Sequence, residues 1–425
     1  MNETKYSGEM ILCTVTFITY LVEFSLRFPS IGKMMNYTIL ALFAADFMNP
    51  SPMFASHESL SIYSSQFSDI YASIIYSHKM THSYLSKVKF SRIFNTAIYL
   101  DSDLNLKDRT YSQTYIQKEN VNSITIDHCL FLRCKSQEEG GAMKIVNENS
   151  NVDLTILNSG FSDCYSKKGD AFYCITKKLY CKNCCIDKCG NSAFYSHSNG
   201  VFFLEYVLLS NSKLNSTIES VHSAKDIIKS SNITNNQNGI SISVDFSQIS
   251  LSFCFFSQNS GEFFFSFSHK VYKVFDYHFE SDVFLENKFS GRLIESTKTG
   301  STVHFKDSAF IHDDINMYTS LKTTISDCTF SLANEREVRN KFSAVTIYSG
   351  NKFGQENYTT QNYGITQQCW DLIPTEKSQF QFDFSKNLII SGGATFLLAV
   401  CLVFVICSCC RTKRYSDQIP LMYTR

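Results

Sequence analysis

The stretch CLFLRCKSQEEGGAM, Cys129–Met143, combines a short apolar run, two cysteines and a glycine pair. It lacks the acid, base or nucleophile arrangement of a catalytic loop, but its pattern recurs along the chain. Alignment on Phe131 gives nine equivalent apolar positions at intervals of 20–30 residues. These anchor positions are Phe131, Phe161, Ile186, Leu208, Ile233, Phe256, Phe284, Phe310 and Phe330.

Further columns repeat with the anchors. Every residue five positions before an anchor is apolar, and seven of nine residues two positions before it are Cys or Ser. Between these two columns the alternation of inward and outward side chains slips by one residue, so the backbone must turn a corner there. Asn, Asp and Ser are common at that position, three residues before the anchor. These residues tolerate left-handed turn conformations.

Short strands joined by corners and repeating about every 25 residues predict an all-β fold, the parallel β-helix. Phe131 is then one rung of an interior apolar stack, and Cys129 is a small residue filling the space beside it. Cys134 begins a column of Cys and Asn, in which stacked Asn amides can bond one another. Gly140 and Gly141 return the chain to the next strand. At about 4.8 Å per coil, the repeats predict a rod about 40 Å long.

The repeat resembles a known family of surface proteins. GGAM (Gly140–Met143) and F-x-x-N, which occurs as Phe256–Asn259 and Phe284–Asn287, are similar to the GGA[ILV]/FxxN repeats of the polymorphic outer-membrane proteins of chlamydiae. They are more similar still to the β-helix surface proteins of trichomonad protists, which end in one membrane helix. The resemblance covers about residues 121–335 and the C-terminal apolar segment. It implies a right-handed, pectin-lyase-like β-helix with an adhesin-like role at the cell surface.

A C-terminal segment predicts one transmembrane α-helix. Residues 388–410 contain no charge over 23 positions, which gives a helix of about 34 Å against a hydrocarbon core of about 30 Å. Arg411, Lys413 and Arg414 follow directly. The positive-inside rule therefore predicts a cytosolic tail and an extracellular ectodomain at the plasma membrane.

The N-terminal region offers two alternative secretory signals, in residues 10–28 or in residues 34–48. Either delivers the middle of the chain to the non-cytosolic side. The predicted organisation is an N-terminal extension (1–48), a cap with possible early coils (49–120), the β-helix repeats (121–335), a C-terminal cap and stalk (336–386), the transmembrane helix (388–410) and the tail (411–425).

Composition and column chemistry favour binding over catalysis. The 39 basic and 39 acidic residues balance, so nucleic-acid binding is not indicated. No cofactor or metal motif is predicted. Polysaccharide lyases and hydrolases use the same scaffold, but they cluster carboxylates on neighbouring coils. The outward column just before each anchor lacks carboxylates and is unusually apolar. Phe255 and Val283 in that column are candidate partner-binding residues, with coverage by flanking segments as the alternative.

The cysteines of CKNCCIDKC, Cys181–Cys189, invite a zinc interpretation, but a second ligand pair at finger-like spacing is missing. The repeat places Cys181, Cys184 and Cys189 in inward or corner columns, which predicts packing. A disulfide is geometrically possible between Cys134 and Cys164, or between Cys164 and Cys189, because stacked rungs are about 4.8 Å apart.

Short motifs predict modifications and sorting. The candidate glycosylation sites are Asn215, Asn232 and Asn357. The candidate palmitoylation sites are Cys407, Cys409 and Cys410, at the cytosolic boundary. Asp417 with Leu421 and Met422 resembles an acidic dileucine sorting signal. Together these features predict a single-pass surface glycoprotein that binds a host cell, extracellular matrix or glycan. A glycan-active enzyme and a passive spacer are the alternatives.

Overall fold

The computed structural model shows the predicted parallel β-solenoid with one short helix. It describes residues 36–39, 42–47, 52–55, 59–77, 82–101, 122–147, 152–190, 192–198, 200–213, 216–237, 240–245, 247–268, 274–296, 300–312, 314–319, 321–342 and 345–355. The chain divides into two units, Met1–Ile373 and Pro374–Arg425, and all described residues belong to the first.

Thirty-five strands and one helix make up the described chain. The strands before Ser198 are β1 (Asn36–Ile39), β2 (Phe43–Phe47), β3 (Phe54–Ala55), β4 (Ser59–Tyr63), β5 (Gln66–Ile70), β6 (Ile75–Ser77), β7 (His82–Ser86), β8 (Lys89–Ile93), β9 (Ile98–Asp101), β10 (Asn122–Asp127), β11 (Leu130–Leu132), β12 (Met143–Val146), β13 (Val152–Leu157), β14 (Gly160–Ser162), β15 (Phe172–Thr176), β16 (Lys178–Asp187) and β17 (Phe194–Ser198).

The later elements are β18 (Val201–Ser210), β19 (Ser216–Val221), β20 (Lys225–Lys229), β21 (Asn232–Thr234), β22 (Ile240–Asp245), β23 (Ile249–Ser252), β24 (Phe255–Ser257), β25 (Ser260–Gly261), β26 (Phe263–Ser268), β27 (Asp276–Glu280), β28 (Val283–Leu285), β29 (Lys288–Ser296), β30 (Thr302–Lys306), β31 (Ala309–Ile311), β32 (Asp314–Thr319), β33 (Lys322–Ser326), β34 (Thr329–Phe330), α1 (Glu335–Lys341) and β35 (Val345–Ile347).

The strands form two sheets, which we call sheet A, with 23 strands, and sheet B, with 12. A typical coil contributes two stretches to sheet A, on either side of a corner, and one strand to sheet B. For example, β10 and β11 pair in parallel with β13 and β14 in sheet A, and β12 pairs with β15 in sheet B. Each coil therefore hydrogen-bonds to the coil before it and the coil after it.

The interior of sheet A contains the predicted apolar column. Phe131 aligns with Phe90 on one side and Phe161 on the other, and both ring-centroid distances are 4.8 Å. All three rings are fully buried. Eight of the nine predicted anchors follow this register. Stacked phenylalanines thus form the core where the sequence predicted them.

The ninth anchor, Leu208, is wrong by one residue. Leu209 pairs with Ile186 and Ile233, whereas Leu208 pairs with Cys185 in the outward column. The error arose because Val207, Leu208 and Leu209 are all apolar, so hydrophobicity alone does not select the inward residue.

The solenoid extends beyond both predicted limits. The strands β1 to β9 form earlier coils, in which Ala44 and Phe67 continue the column that includes Phe90. The strands β1 and β2 fall within residues 34–48, the segment of one predicted secretory signal. At the other end β35 pairs with β33, and the Phe353 ring stacks on Phe330 with centroids 5.7 Å apart.

The helix α1 precedes this last coil, within the predicted C-terminal cap. Asn334 begins it as the N-cap, because the Asn334 side chain accepts a hydrogen bond of 3.1 Å from the Glu337 backbone N–H. Val338 and Phe342 are buried, and the Phe342 ring lies 6.3 Å from that of Phe310. The helix therefore packs its apolar side against the phenylalanine core.

Two left-handed residues turn a typical coil. The first, as predicted, lies three residues before the anchor. Its members are Ser64, Lys87, His128, Asn158, Asn183, Tyr206, Ser230, Phe253, Ser281, Asp307 and Asp327, with φ between 46° and 58°. The second lies two residues after the anchor. It comprises Asp69, Arg92, Arg133, Asp163, Lys188, Asn211, Asn235, Gln258, Glu286 and His312. The stacking of these corners keeps the strands of successive coils in register.

Buried amides stack at the second corner. Asn236 donates from both its backbone N–H and its Nδ2 to Asn259 Oδ1, at 3.1 and 3.0 Å. Asn259 donates in the same way to Asn287 Oδ1, at 3.1 and 3.0 Å. Each of these Nδ2 atoms also donates to a backbone carbonyl of the preceding coil. The predicted Asn ladder is therefore confirmed, and it begins at Ser212, whose N–H donates to Asn236 Oδ1 at 2.9 Å.

A second ladder explains the Ser and Cys preference two residues before the anchor. There the backbone N–H of one coil donates to a side-chain oxygen of the next. Cys129 N–H donates to Ser159 Oγ at 3.1 Å, and Cys254 N–H donates to Asp282 Oδ1 at 2.8 Å. Burial raises the pKa of the Asp282 carboxyl well above its usual value. At the corner, the backbone N–H of the residue two positions before the anchor does not pair with a backbone carbonyl of the neighbouring strand. A small polar side chain at the same position of the next coil accepts its hydrogen bond instead.

Replacing Asn259 tests the amide ladder. Asn259→Leu keeps a similar branched shape but leaves the Asn236 donors and the Ile233 carbonyl unpaired in the core, so we expect a loss of about 3–5 kcal/mol in the free energy of unfolding. Chemical denaturation measures this loss. Gln258→Ala, at the adjacent exposed corner, is the matched control, and we expect a change within about 0.5 kcal/mol. Equal effects at the two positions would contradict the ladder.

Candidate binding surface

Exposed aromatic side chains stack along the corner that follows the phenylalanine column. Tyr71 and Phe94 stand four residues after Phe67 and Phe90, and their rings stack with centroids 4.6 Å apart. They are 48% and 44% exposed. Lys135 follows on the next coil and pairs in parallel with Tyr165, which is 53% exposed. Over four successive coils, this corner column therefore consists of two aromatic residues, a lysine and a third aromatic residue.

The outer face of sheet B repeats the same pattern on the same four coils. Strand register aligns Tyr76, Tyr99, Lys144 and Tyr173, and all four are half-buried. The Tyr76 and Tyr99 rings stack with centroids 5.0 Å apart. Lys144 Nζ lies 5.1 Å from the Tyr99 centroid and 5.9 Å from the Tyr173 centroid. We call the two columns together the aromatic patch: Tyr71, Phe94, Lys135, Tyr165, Tyr76, Tyr99, Lys144 and Tyr173.

Neighbouring charges hold the lysine of sheet B in place. Lys144 Nζ donates to Glu139 Oε2 at 3.0 Å. Burial alone would lower the pKa of Lys144, but the bond to Glu139 and the nearby Tyr99 raise it overall. Burial raises the pKa of Tyr99. Lys144 is therefore a fixed cation beside the Tyr99 ring, an arrangement that suits hydrogen bonding and aromatic contact with a partner.

The apolar outward column is not an open surface, and this corrects the prediction for Phe255 and Val283. They are only 8% and 4% exposed, and they form a small hydrophobic cluster with Ala309 and Ile311. The side chains face outward from sheet A, as predicted. They are buried, however, so they do not offer a free strip to a partner. Ser257, which follows the buried Phe256, is buried as well.

The predicted glycosylation site Asn232 lies in the same outward column, but it is only 1% exposed. A folded solenoid leaves no room for a glycan there. The other predicted modification and sorting residues lie outside the described residues: Asn215, Asn357, Cys407, Cys409, Cys410, Asp417, Leu421 and Met422.

The cysteines pack as the repeat predicted. Cys181, Cys184 and Cys189 belong to the buried core. Cys134, Cys164 and Cys189 are free thiols, so the two disulfides considered for them are wrong. Burial raises the pKa of Cys129, Cys174 and Cys328 to about 12. Such thiols remain protonated and are poor nucleophiles or metal ligands.

Sequence reasoning missed one acidic group near a histidine pair. His278 and His304 stack on the outer face of sheet A with centroids 4.9 Å apart. Asp276 Oδ1 lies 4.0 Å from His304 Nε2, and His304 Nδ1 is 2.7 Å from the Thr324 hydroxyl. Burial and the neighbouring His278 lower the pKa of His304. The register of β27 with β30 aligns His278 with His304, and Asp276 stands two residues before His278 on the same strand.

One carboxyl is buried inside the solenoid. Asp226 lies in an inward column of sheet A, at a position occupied by Phe202 and Ile249 on the adjacent coils. The Ser220 hydroxyl donates to Asp226 Oδ1 at 2.9 Å and lies 3.0 Å from the Ser223 hydroxyl. Burial raises the pKa of Asp226 to about 6.

No protein-family model, curated protein or solved structure matches this chain.

Replacing Asp226 tests this buried acid. The folded-state pKa lies above the unfolded value of about 3.9, so the folded protein binds more protons between those two pH values. The Asp226 carboxyl should therefore lower the free energy of unfolding by about 3 kcal/mol as the pH rises from about 4 to above 6. Asp226→Asn should remove that loss, as measured by chemical denaturation at pH 4 and pH 7.5.

The control is Asp163→Asn, which removes the same charge from an exposed corner. It should leave most of the pH dependence in place. An Asp226→Asn protein that loses stability with pH as the parent does would contradict the assignment.

Proposed function

We propose that this chain is a membrane-tethered, right-handed parallel β-helix displayed at the cell surface, where the aromatic patch binds another cell, matrix or a glycan. The observation that carries the proposal is the patch itself: two parallel columns of stacked aromatic rings, each with one lysine on the same coil. Monomeric soluble proteins seldom leave contiguous aromatic surface uncovered without an interaction to serve.

The chemistry of the patch suits recognition. Tyrosine provides a large, rigid contact area with a polar hydroxyl, and it is enriched at binding hot spots. Stacking of Tyr71 on Phe94 and of Tyr76 on Tyr99 fixes the rings before a partner arrives, which reduces the entropy lost on binding. Because the columns repeat, contacts are distributed over several coils, and dense display adds avidity to modest single-molecule affinity.

The proposed cell-surface display rests on the sequence, and the proposed right-handed winding of the β-helix rests on a general rule for parallel strands. Strand–crossover–strand connections between parallel strands are right-handed in about 98% of cases. The apolar segment 388–410 with its basic flank supports a single membrane span and a plasma-membrane address. That segment lies outside the described residues, among which no helix is long and apolar enough to cross a bilayer.

The resemblance to polymorphic outer-membrane and trichomonad surface proteins supports an adhesin-like role. Its motifs now have physical explanations. In F-x-x-N, the Phe is a core rung and the Asn is a member of the amide ladder, as in Phe256 and Asn259. In GGAM, Gly140 has φ of +71°, and a Cβ on Gly141 would lie 2.4 Å from the Asp170 carbonyl oxygen.

A second candidate, a glycan-active enzyme, is favoured only by the His278, His304 and Asp276 group. These residues provide acid–base groups on one outer face, but they contribute one carboxylate rather than the pair that glycosidases use. A passive spacer is the third alternative, and it requires no binding surface.

An attachment assay tests the proposal. The full chain is displayed on cultured cells, and the cells are allowed to bind target cells, matrix and immobilised glycans. Replacing the stacked pair of the corner column, Tyr71→Ser with Phe94→Ser, should reduce attachment about tenfold or more, because it removes two aromatic contacts from the patch. Staining of intact cells with an antibody against the solenoid checks that display is unchanged.

The matched control is Tyr63→Ser with Tyr84→Ser. Those two rings are also neighbours, tilted at 41° with centroids 5.5 Å apart, and they lie on the same two coils but on another face. This variant should attach like the parent. Equal attachment by the two double variants would contradict the role of the aromatic patch. A parent protein that attaches to nothing would support the passive spacer. Glycan depolymerisation by the parent that is lost in His304→Ala would support the glycan-active enzyme.

A further inference from the structure

The outward column of sheet B changes its chemistry part-way along the solenoid. Strand register extends the sheet B residues of the aromatic patch onto four further coils. In chain order the members of this sheet B column are Tyr76, Tyr99, Lys144, Tyr173, Tyr195, Glu219, Ser243 and Ser266. The first half therefore carries long side chains and a cation, whereas the second half carries a tyrosine, a carboxylate and two short serines.

The column complements itself when it is reversed. Counting inward from both ends opposes each member of the first half to one member of the second half. The resulting pairs are Tyr76 with Ser266, Tyr99 with Ser243, Lys144 with Glu219, and Tyr173 with Tyr195. Two long side chains therefore meet short ones, and the two charged members, which have opposite sign, meet each other.

A two-fold axis produces this reversal. In such a contact residue i of one copy meets residue j of the other, and j meets i. An axis along the strands, between the coils of Tyr173 and Tyr195, reverses the solenoid and keeps each column opposite itself. An axis parallel to the solenoid would instead oppose neighbouring columns, so Lys144 would meet the apolar Val146. Because burying a charge against an apolar side chain is costly, the column favours the antiparallel arrangement.

The neighbouring outward column of sheet B is mainly apolar on the four central coils. Val146, Ile175, His197 and Val221 align in register, and all four are half-buried. Under the same reversal Val146 meets Val221, and Ile175 meets His197. This second column therefore adds apolar contact beside the pairs of the sheet B column.

The size of the face fits a weak dimer. From the Tyr76 coil to the Ser266 coil is seven steps of about 4.8 Å, or about 34 Å, and a strand of five residues is about 17 Å long. The face therefore offers roughly 600 Å², somewhat below the 800 Å² per partner of a standard interface. Asp101 and Asp245, the last residues of β9 and β22, meet at its edge, where water screens like charges.

We propose that a second copy of this chain occupies the face, packed sheet B against sheet B in antiparallel orientation. This inference rests on the proposed function, because half of the sheet B column belongs to the aromatic patch, and it names the partner of that half. Tyr76 stacks on Tyr99, and Tyr173 on Tyr195, with centroids 5.0 and 4.5 Å apart. The ring faces on which a sugar packs are therefore occupied, and the ring edges and hydroxyls remain for a partner that repeats at the same spacing.

The charged pair joins two ion pairs that each chain already holds. Lys144 Nζ donates to Glu139 Oε2 at 3.0 Å, and Glu219 Oε1 lies 2.9 Å from Lys168 Nζ. These contacts fix the two charges before the copies meet, which reduces the entropy lost on binding. In the dimer, Lys144 of one copy lies opposite Glu219 of the other, so four charges alternate in sign across the interface, and they do so twice.

The central ring, Tyr195, is covered within its own chain. Lys168 Nζ lies 3.9 Å from the Tyr195 centroid, and Tyr195 is only 9% exposed. The group that meets Tyr173 of the second copy is therefore the Lys168 ammonium above Tyr195. A cation against an aromatic ring is a favourable contact, so the covered ring does not interrupt the interface.

Complementary charge reversal tests the dimer. The full chain is displayed on two populations of cultured cells that carry different dyes, and mixed aggregates are counted by flow cytometry. Lys144→Glu on both populations, or Glu219→Lys on both, opposes like charges twice per dimer, so we expect about tenfold fewer mixed aggregates than for the parent. Lys144→Glu on one population with Glu219→Lys on the other restores both opposite-charge pairs, and we expect aggregation within about threefold of the parent.

The mixture separates contact between copies from misfolding, because each variant chain carries the same internal change alone and in the mixture. The matched control uses the ion pair between Lys182 and Glu205, 2.9 Å apart on the outer face of sheet A. Lys182→Glu and Glu205→Lys should aggregate like the parent, both alone and mixed.

The outcomes distinguish this dimer from the proposed function. Single variants that aggregate like the parent, or a mixture that aggregates as poorly as they do, would overturn the dimer. If displaying cells do not aggregate with one another but attach through Tyr71 and Phe94 to cells without the chain, to matrix or to a glycan, the dimer fails and the proposed function stands. Aggregation with rescue, together with equal attachment by the two double variants of the attachment assay, would support the dimer and count against the attachment role of Tyr71 and Phe94.

Discussion

The structure depends on parallel stacking in strict register. Each coil places the same positions above those of the coil before, so a residue meets its own equivalents rather than a complementary partner. Phenylalanines therefore meet phenylalanines in the core, and asparagines meet asparagines at the second corner. A single misplaced residue would bring an amide against an apolar rung, where an unpaired polar group is costly. The left-handed corners keep this register because they turn successive coils at the same places.

Register also organises the outer surface. Side chains at the same outward position of successive coils lie above one another in a column. A preference for one residue type at that position therefore produces an extended strip of that residue type. The early coils use this property to stack tyrosine, phenylalanine and lysine where they remain open. The later coils produce an apolar strip by the same route. Phe255, Val283, Ala309 and Ile311 form one buried cluster in that region.

Much of the fold was predictable, and the failures have physical causes. Phe131, Phe256 and Phe284 were identified as rungs because each stands two residues after a Cys or Asp and three residues before a Cys or Asn. Leu208 was misassigned because three apolar residues in succession carry no alternation. The sequence marked residues 49–120 as a cap with possible early coils but did not place their anchors, because the first anchor is Ala44 and the third residue after Phe67 and Phe90 is Ile rather than Cys or Asn. In these early coils the position three residues after the anchor is not Asn, so the sequence pattern that identifies the other coils is absent.

The candidate surface was less predictable than the fold. Alternation along a strand predicts which way a side chain faces but not whether it is exposed, so Phe255 and Asn232 face outward and are nevertheless buried. The aromatic patch was missed because Tyr71, Phe94 and Tyr165 stand on a corner column, four residues after each anchor, that the alignment did not follow. Aligning that column across coils would have found it.

The most direct test of the stacked register is a set of distances between spin labels on one corner column. Asp163, Arg92 and Glu286 all occupy the second left-handed corner, and labels introduced in pairs at these exposed sites are measured by pulsed electron paramagnetic resonance. Stacking at about 4.8 Å per coil predicts about 24 Å for the pair Asp163 and Glu286, and about 34 Å for the pair Arg92 and Glu286. Distances that do not rise in proportion to the number of coils between the labels would contradict the solenoid.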